Sequence, residues 1–289
     1  MKPRPSLPRA RTRQLAHCRP DEVLAERRCT GLLWLPLGPL EWHGPHLPLG
    51  VDPFNAEATA LACAGRLGGL VLPTLFSGTE RERPAEMLGH LGFSRRAYVV
   101  GMDFPKHSLR SGYFPEEEFA LQVRGWIARA RDWGFRTMVL VNGHGARNHN
   151  MTLRRLVEEA RRPGAKVRLL AYLALVTDPR GSLNIGHASA DETSLMLLDH
   201  PADVRLAALP CVPHRLRGAD FGIVDDATFR GDPRADRTLR DEDDPRRHAA
   251  RERGRALRAR TVAFICREVA ACLRDPSHPR ANLADDGLS

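Results

Sequence analysis

The chain has 289 residues, 42% of them hydrophobic and 27% charged, with a formal charge of +9. That length supports one large α/β domain or two small ones, and no apolar run reaches the roughly 18–20 residues needed to span a bilayer. The positive balance permits nucleic-acid binding, but all basic residues except Lys2, Lys106 and Lys166 are arginines scattered beside acids, so nucleic acid is not expected as a partner and a small anionic substrate is served equally well.

Met1 to Arg13 is basic and contains proline but has no apolar core of the kind a secretory signal needs. Residues 1–20 read as a flexible N-terminal arm, and 21–289 as a single α/β domain. Cys18, Cys29, Cys63, Cys211, Cys266 and Cys272 form no CxxC pair. This is neither a disulfide framework nor a thiolate zinc site, and the expected compartment is the cytoplasm.

The first strand is expected at Gly31 to Leu37, an unbroken apolar run. An alanine-rich helix follows from Phe54 to Leu67 and stops at Gly68-Gly69. Leu70 to Leu75 reads as a second strand, and residues 76 to 115 as mostly loop. Pro115 starts a helix over Glu116 to Trp133, whose run of three glutamates suits the positive end of the helix dipole. Thr137 to Val141 is a strand, Asn148 to Arg162 a helix, Lys166 to Leu173 a strand and Asp191 to Asp199 a short helix. Residues 213–245 form a charged, turn-rich excursion. Residues 247–274 read as a long helix with one apolar face, Leu257, Val262, Ile265, Val269 and Leu273. Strand and helix in alternation predict a layered, mainly parallel sheet flanked by helices, with ligands gathering beyond the carboxyl ends of the strands.

Two donor clusters fall at such ends, and a third lies further along. Gly38-Pro39-Leu40-Glu41-Trp42-His43-Gly44-Pro45-His46-Leu47-Pro48-Leu49-Gly50-Val51-Asp52 places carboxylates and imidazoles in a short loop after the first strand. Asn142-Gly143-His144-Gly145 follows another strand, and His187-Ala188-Ser189-Ala190-Asp191-Glu192-Thr193-Ser194 supplies a further histidine and carboxylate. Carboxylate and imidazole donors converging from distant segments suit a divalent metal, and Asp52 could bridge two ions with its two oxygens. The bland alternatives are loop capping by Glu41 and Asp52 and a capping box between Ser189 and Glu192. His46 reads as an outer residue that supports a ligand, His107 and His149 as pocket residues, and His90, His200, His214, His248 and His278 as surface or structural.

In these motifs the sequence resembles the creatininase (creatinine amidohydrolase) family. Its Glu-Gln-His-Gly-Pro-His-Leu-Pro-x-x-x-Asp hallmark is matched from Glu41 to Asp52, with Trp42 in place of glutamine. Its Asn-Gly-His-Gly turn is matched at Asn142 to Gly145, and its His-Ala-Gly-x-x-Glu-Thr-Ser segment at His187 to Ser194. The resemblance covers residues 30 to 200. It implies Glu41, His43, Asp52, His144 and Glu192 as metal ligands, His187 and Glu192 as catalytic residues, and one or two divalent ions per chain, zinc first with manganese or iron as alternatives. It also implies a homo-oligomer, up to a hexamer. Creatininase proper has a ligand glutamate where this chain has Ala146, and Glu192 is expected to supply that carboxylate. The implied activity is hydrolysis of an amide C–N bond in a small polar or cyclic substrate through metal-activated water. The alternatives are opening of a cyclic ketone of the inosose type, and a non-catalytic binding protein on the same fold.

Overall fold

The computed structural model describes residues 12–104, 109–181, 186–219, 222–223, 239–275 and 277–283. In chain order its elements are α1 (Pro20–Cys29), β1 (Leu32–Gly38), α2 (Val51–Leu67), β2 (Leu70–Val71), β3 (Leu75–Phe76), α3 (Ala85–His90), α4 (Glu116–Asp132), β4 (Thr137–Asn142), α5 (Arg147–Glu159), β5 (Arg168–Leu173), α6 (Ala190–Asp199), β6 (Gly218–Ala219), β7 (Gly222–Ile223), α7 (Pro245–His248), α8 (Arg251–Arg274) and β8 (Ala281–Asn282). Among the described residues no helix is long and apolar enough to cross a membrane.

The main sheet runs β2-β1-β4-β5-β8, with β3 also paired to β1, and every pairing is parallel. Successive side chains of a strand point to opposite faces, which divides β1 between two cores. Leu33, Leu35 and Leu37 face α4 and α5 through Phe119, Val123, Leu153 and Leu156. Leu32 and Trp34 face α2 and α8 through Ala56, Ala60, Val262 and Ile265. Burial on both faces explains why these strands are unbroken apolar runs. The result is the layered α/β architecture that the sequence predicts.

Several details differ from the sequence reading. The arm is not loose over its described part: Val71 N donates to Arg13 O at 2.7 Å, Gln14 bridges Val71, and Leu15 and Cys18 pack on the core. The edge strand β2 has free backbone groups, and residues 12–19 cover them. The predicted strand Leu70 to Leu75 splits in two, because Leu72-Pro73-Thr74 interrupts the ladder along β1. The loop 76–115 contains the short helix α3. The long helix starts at Arg251, since Ala249 and Ala250 are extended and separate it from α7. Its apolar face holds except at Leu273, which is exposed while Cys272 is buried. Of the charged excursion, residues 224–238 lie outside the described residues, and Leu216 and Ile223 within it are buried against Leu209.

Candidate metal centre

Register builds the site. Leu37 of β1 is paired with Asn142 of β4, so Glu41 and His144, a few residues beyond the two strand ends, emerge side by side. The loop after β1 closes on itself through Glu41 N donating to Leu49 O at 2.9 Å. The chain then enters α2, which begins three residues earlier than its sequence pattern indicates. Asp52 therefore lies in the first turn of a helix, where the helix dipole favours a carboxylate.

Two glycines at the strand ends make room for Asp52. A Cβ at Gly143 would stand 2.1 Å from the Asp52 carbonyl oxygen, and one at Gly38 would stand 2.8 Å from the Asp52 Cβ. The turn carrying His144 is tied by Asn142, whose side chain accepts from His144 N at 2.9 Å and donates to His144 O at 2.7 Å.

Asp52 is shared between two histidines. Its Oδ1 lies 3.2 Å from His43 Nε2, and its Oδ2 lies 3.0 Å from His144 Nδ1. Each histidine meets one further carboxylate: Glu192 Oε1 is 3.9 Å from His43 Nε2, and Glu41 Oε2 is 3.2 Å from His144 Nδ1. Among the described residues three donor groups result, Glu41–Asp52–His144, His43–Asp52–Glu192 and Glu41–His43–His187, each with ligand atoms inside a 4.8 Å span, and the first two share Asp52. The atoms involved are buried, and His43 Nε2 has no hydrogen bond. His43 Nδ1 lies 3.1 Å from Glu41 O. A carbonyl only accepts, so Nδ1 carries a proton and Nε2 is the ring atom turned to the carboxylates. Carboxylate and imidazole donors in two triads with one shared aspartate fit a pair of divalent ions of the zinc or manganese type.

His187 joins from the third segment. Its ring lies 4.1 Å from that of His43, and its Nε2 donates to Trp42 O at 2.5 Å. Ala188, the next residue of the motif, adopts φ 58°, an uncommon left-handed conformation, and its N–H donates to Glu192 Oε2 at 2.5 Å. Glu192 thus reaches back to Ala188 rather than forming the capping box that is its bland alternative, and Ser189 makes no side-chain cap bond. Trp42 turns its ring toward Phe104, at 6.1 Å, and its carbonyl toward His187.

His46 bonds Thr193 Oγ1 at 3.0 Å, next to Glu192 rather than to a ligand. His149 is buried beneath the site, stacked on Phe119 at 4.4 Å, with Thr79 N donating to its Nδ1. His107 lies outside the described residues. His200, read as surface or structural, stacks on Phe54 at 4.6 Å and lines the cavity.

The cavity has a volume of about 540 Å³, within the roughly 300–1,000 Å³ range of small-molecule sites. Glu41, Asp52, His144, His187 and Glu192 form its metal-centre side, and Glu80 to Pro84 with Gly101 and Met102 line it from the loop-rich segment. Sequence reasoning did not assign roles to Glu80 or Tyr113. Glu80 carries a carboxylate pushed up by burial, and Tyr113 contacts Glu41. The only local signal for Tyr113 is a tyrosine in a chain with three.

Without metal the cluster holds protons. Burial opposes charge on His43, but Asp52, Glu192 and Glu41 outweigh it and push its pKa to about 10. Burial, against the pull of His43 and with the repulsion of Asp52, raises Glu192 to about 7. Burial and His43 lower His187 to about 4. A raised folded-state pKa stabilises the protonated fold. The His43 contribution is full below the ordinary imidazole value of 6.5 and is lost as pH rises through 10. The Glu192 contribution is full below 4.5 and is lost on rising through 7. We therefore expect metal-free protein to lose stability between pH 7 and 10. If His43 Nε2 ligates a metal it must be unprotonated, so on that reading zinc uptake at pH 8 should release at least about one proton per chain. Titration calorimetry in buffers of different protonation enthalpy measures it, and uptake with no proton release contradicts this electrostatic picture.

The family model described as creatininase, creatinine amidohydrolase, matches residues 16–99 and 112–269. A mycofactocin precursor peptide peptidase of Mycobacterium tuberculosis is 30% identical over 208 residues, which is 69% of this chain and 74% of that protein. A creatinine amidohydrolase of Pseudomonas putida is 30% identical over 185 residues, 59% of this chain and 65% of that protein. A crystal structure of creatinine amidohydrolase superposes with a TM-score of 0.59 at 25% identity, covering 92% of this chain and 99% of that one. Other solved creatininases of the same fold are described as a manganese form and a Zn–Zn type.

Proposed function

The chain belongs to the creatininase family, whose members are hydrolases, and from that premise we propose that it is a metal-dependent amidohydrolase acting on a small polar or cyclic substrate. The observation that carries this reading is the division of Asp52 between His43 and His144, each backed by a second carboxylate. In this reading Glu41, Asp52 and His144 hold one divalent ion, and His43, Asp52 and Glu192 hold the other. Bound there, such ions polarise a carbonyl and acidify water.

The remaining roles fall to protein groups. Nε2 of His187 is committed to the Trp42 carbonyl, which leaves Nδ1 as the ring atom able to take and return a proton during C–N cleavage. Glu192 meets both His43 and Ala188 N, so it ties the His187 segment to the metal centre. Asn142 holds the His144 turn rigid. The loop wall from Glu80 to Pro84 faces the substrate.

An amide C–N bond is favoured over ring opening of a ketone because the two named relatives are an amidohydrolase and a peptidase. The same reading takes zinc or manganese as the ion. By family resemblance it also takes a homo-oligomer as the assembly, residues 21–289 as the functional unit and the cytoplasm as the compartment. A panel of linear and cyclic amides, short peptides and inososes tests it with zinc- and manganese-loaded protein. At least one amide should be hydrolysed, with turnover lost on chelation and restored by metal. Turnover of the cyclic ketones alone would overturn the amide assignment, and turnover that survives full metal removal would overturn the metal assignment.

A further inference from the structure

Tyr113 comes from a segment that carries none of the donor motifs, yet its side chain reaches the metal centre. Its hydroxyl donates to Glu41 Oε1 at 2.5 Å, and the hydroxyl oxygen accepts from Met102 N at 3.4 Å. A carboxylate accepts only, so the phenolic proton lies on the Glu41 side. The hydroxyl is also confined by backbone. Gly101 has φ +53°, and a Cβ there would stand 2.6 Å from Tyr113 Oη.

This contact divides the work of Glu41. Oε1 is taken by Tyr113, while Oε2 faces His144 Nδ1 at 3.2 Å. We propose that Tyr113 is a positioning residue that fixes the Glu41 carboxylate so that Oε2 alone serves the Glu41–Asp52–His144 half of the centre. The proposal rests on the metallohydrolase reading. Tyr113 acts through Glu41, and its effect falls on the half of the centre where Glu41 Oε2 meets His144 Nδ1.

The test is Tyr113→Phe, which keeps the ring and removes only the donor. Zinc affinity is measured by competition with a chromophoric chelator, and the visible absorption of the cobalt-loaded protein is recorded. Loss of an outer hydrogen-bond partner of a metal ligand weakens binding about 10–100-fold. The variant should show that loss for one zinc per chain, keep the other at wild-type affinity, and change the cobalt spectrum. A melt of the metal-free variant, as cooperative as that of the wild type, separates this loss from misfolding. Wild-type affinity for both ions with an unchanged cobalt spectrum would overturn the proposal and leave the metallohydrolase reading intact. Failure of the wild type to bind zinc would overturn that reading and this proposal with it.

Discussion

Replacing Asp52 with alanine is expected to empty both halves of the centre and to abolish metal-dependent hydrolysis. Asp52 is the residue that joins the Glu41–Asp52–His144 triad to the His43–Asp52–Glu192 triad. Its two oxygens lie 3.2 Å from His43 Nε2 and 3.0 Å from His144 Nδ1. Losing it should cost far more than the roughly 10–100-fold that an outer partner costs, because both ions lose a ligand at once and Glu41 and Glu192 are left without the group that joins them. Elemental analysis and chelator competition read the metal directly, and turnover reads the consequence. The fold should survive, since Asp52 contributes no apolar packing to either core. A variant that keeps two tightly bound ions would show that Asp52 is a helix-start residue and nothing more.

Gly143→Ala is expected to damage the site through sterics alone. The added methyl would stand 2.1 Å from the Asp52 carbonyl oxygen. That obstacle is backbone at the first turn of α2, so it cannot rotate away. Overpacking of this kind costs about 3 kcal/mol or more, which for a chain of this size lowers Tm by roughly 5–10 °C. Because the strain falls on Asp52, metal affinity should drop together with stability. Gly125 is the control: it sits exposed in α4 with nothing within 4 Å of an added Cβ. Gly125→Ala should stabilise by about 0.5–1 kcal/mol through helix propensity. Thermal melts of the two variants should therefore move in opposite directions. Equal melting temperatures would contradict the packing argument.

The parts of this fold that the sequence reveals are those with local causes. β1, β4 and β5 are apolar on both faces because helices cover both faces, and an unbroken apolar run carries that information by itself. The Glu41–Asp52 loop and the His144 turn are legible for a similar reason, since each follows a strand directly and carries its glycines with it. Other features depend on the path of the chain through space. α1 begins with Pro20 and Glu22, both ordinary helix-start signals, but its buried residues are Glu22, Ala25 and Glu26, so no apolar periodicity marks it. β8 is two residues long and exists because β5 offers it an edge. Glu80 reaches the cavity, and Tyr113 reaches Glu41, from loops whose course no periodicity records. His187 is legible as a histidine in a motif, but its bond to the carbonyl of Trp42, 145 residues away, is not.

The central claim is that Asp52 joins two ion sites in one buried centre. It is tested most directly by the metal stoichiometry of the purified wild-type chain after zinc reconstitution, measured by elemental analysis against protein concentration. The proposed function predicts two ions per chain, with uptake of both coupled to the appearance of amide hydrolysis. No bound metal under those conditions would contradict the account and turn attention to a binding role for the same fold.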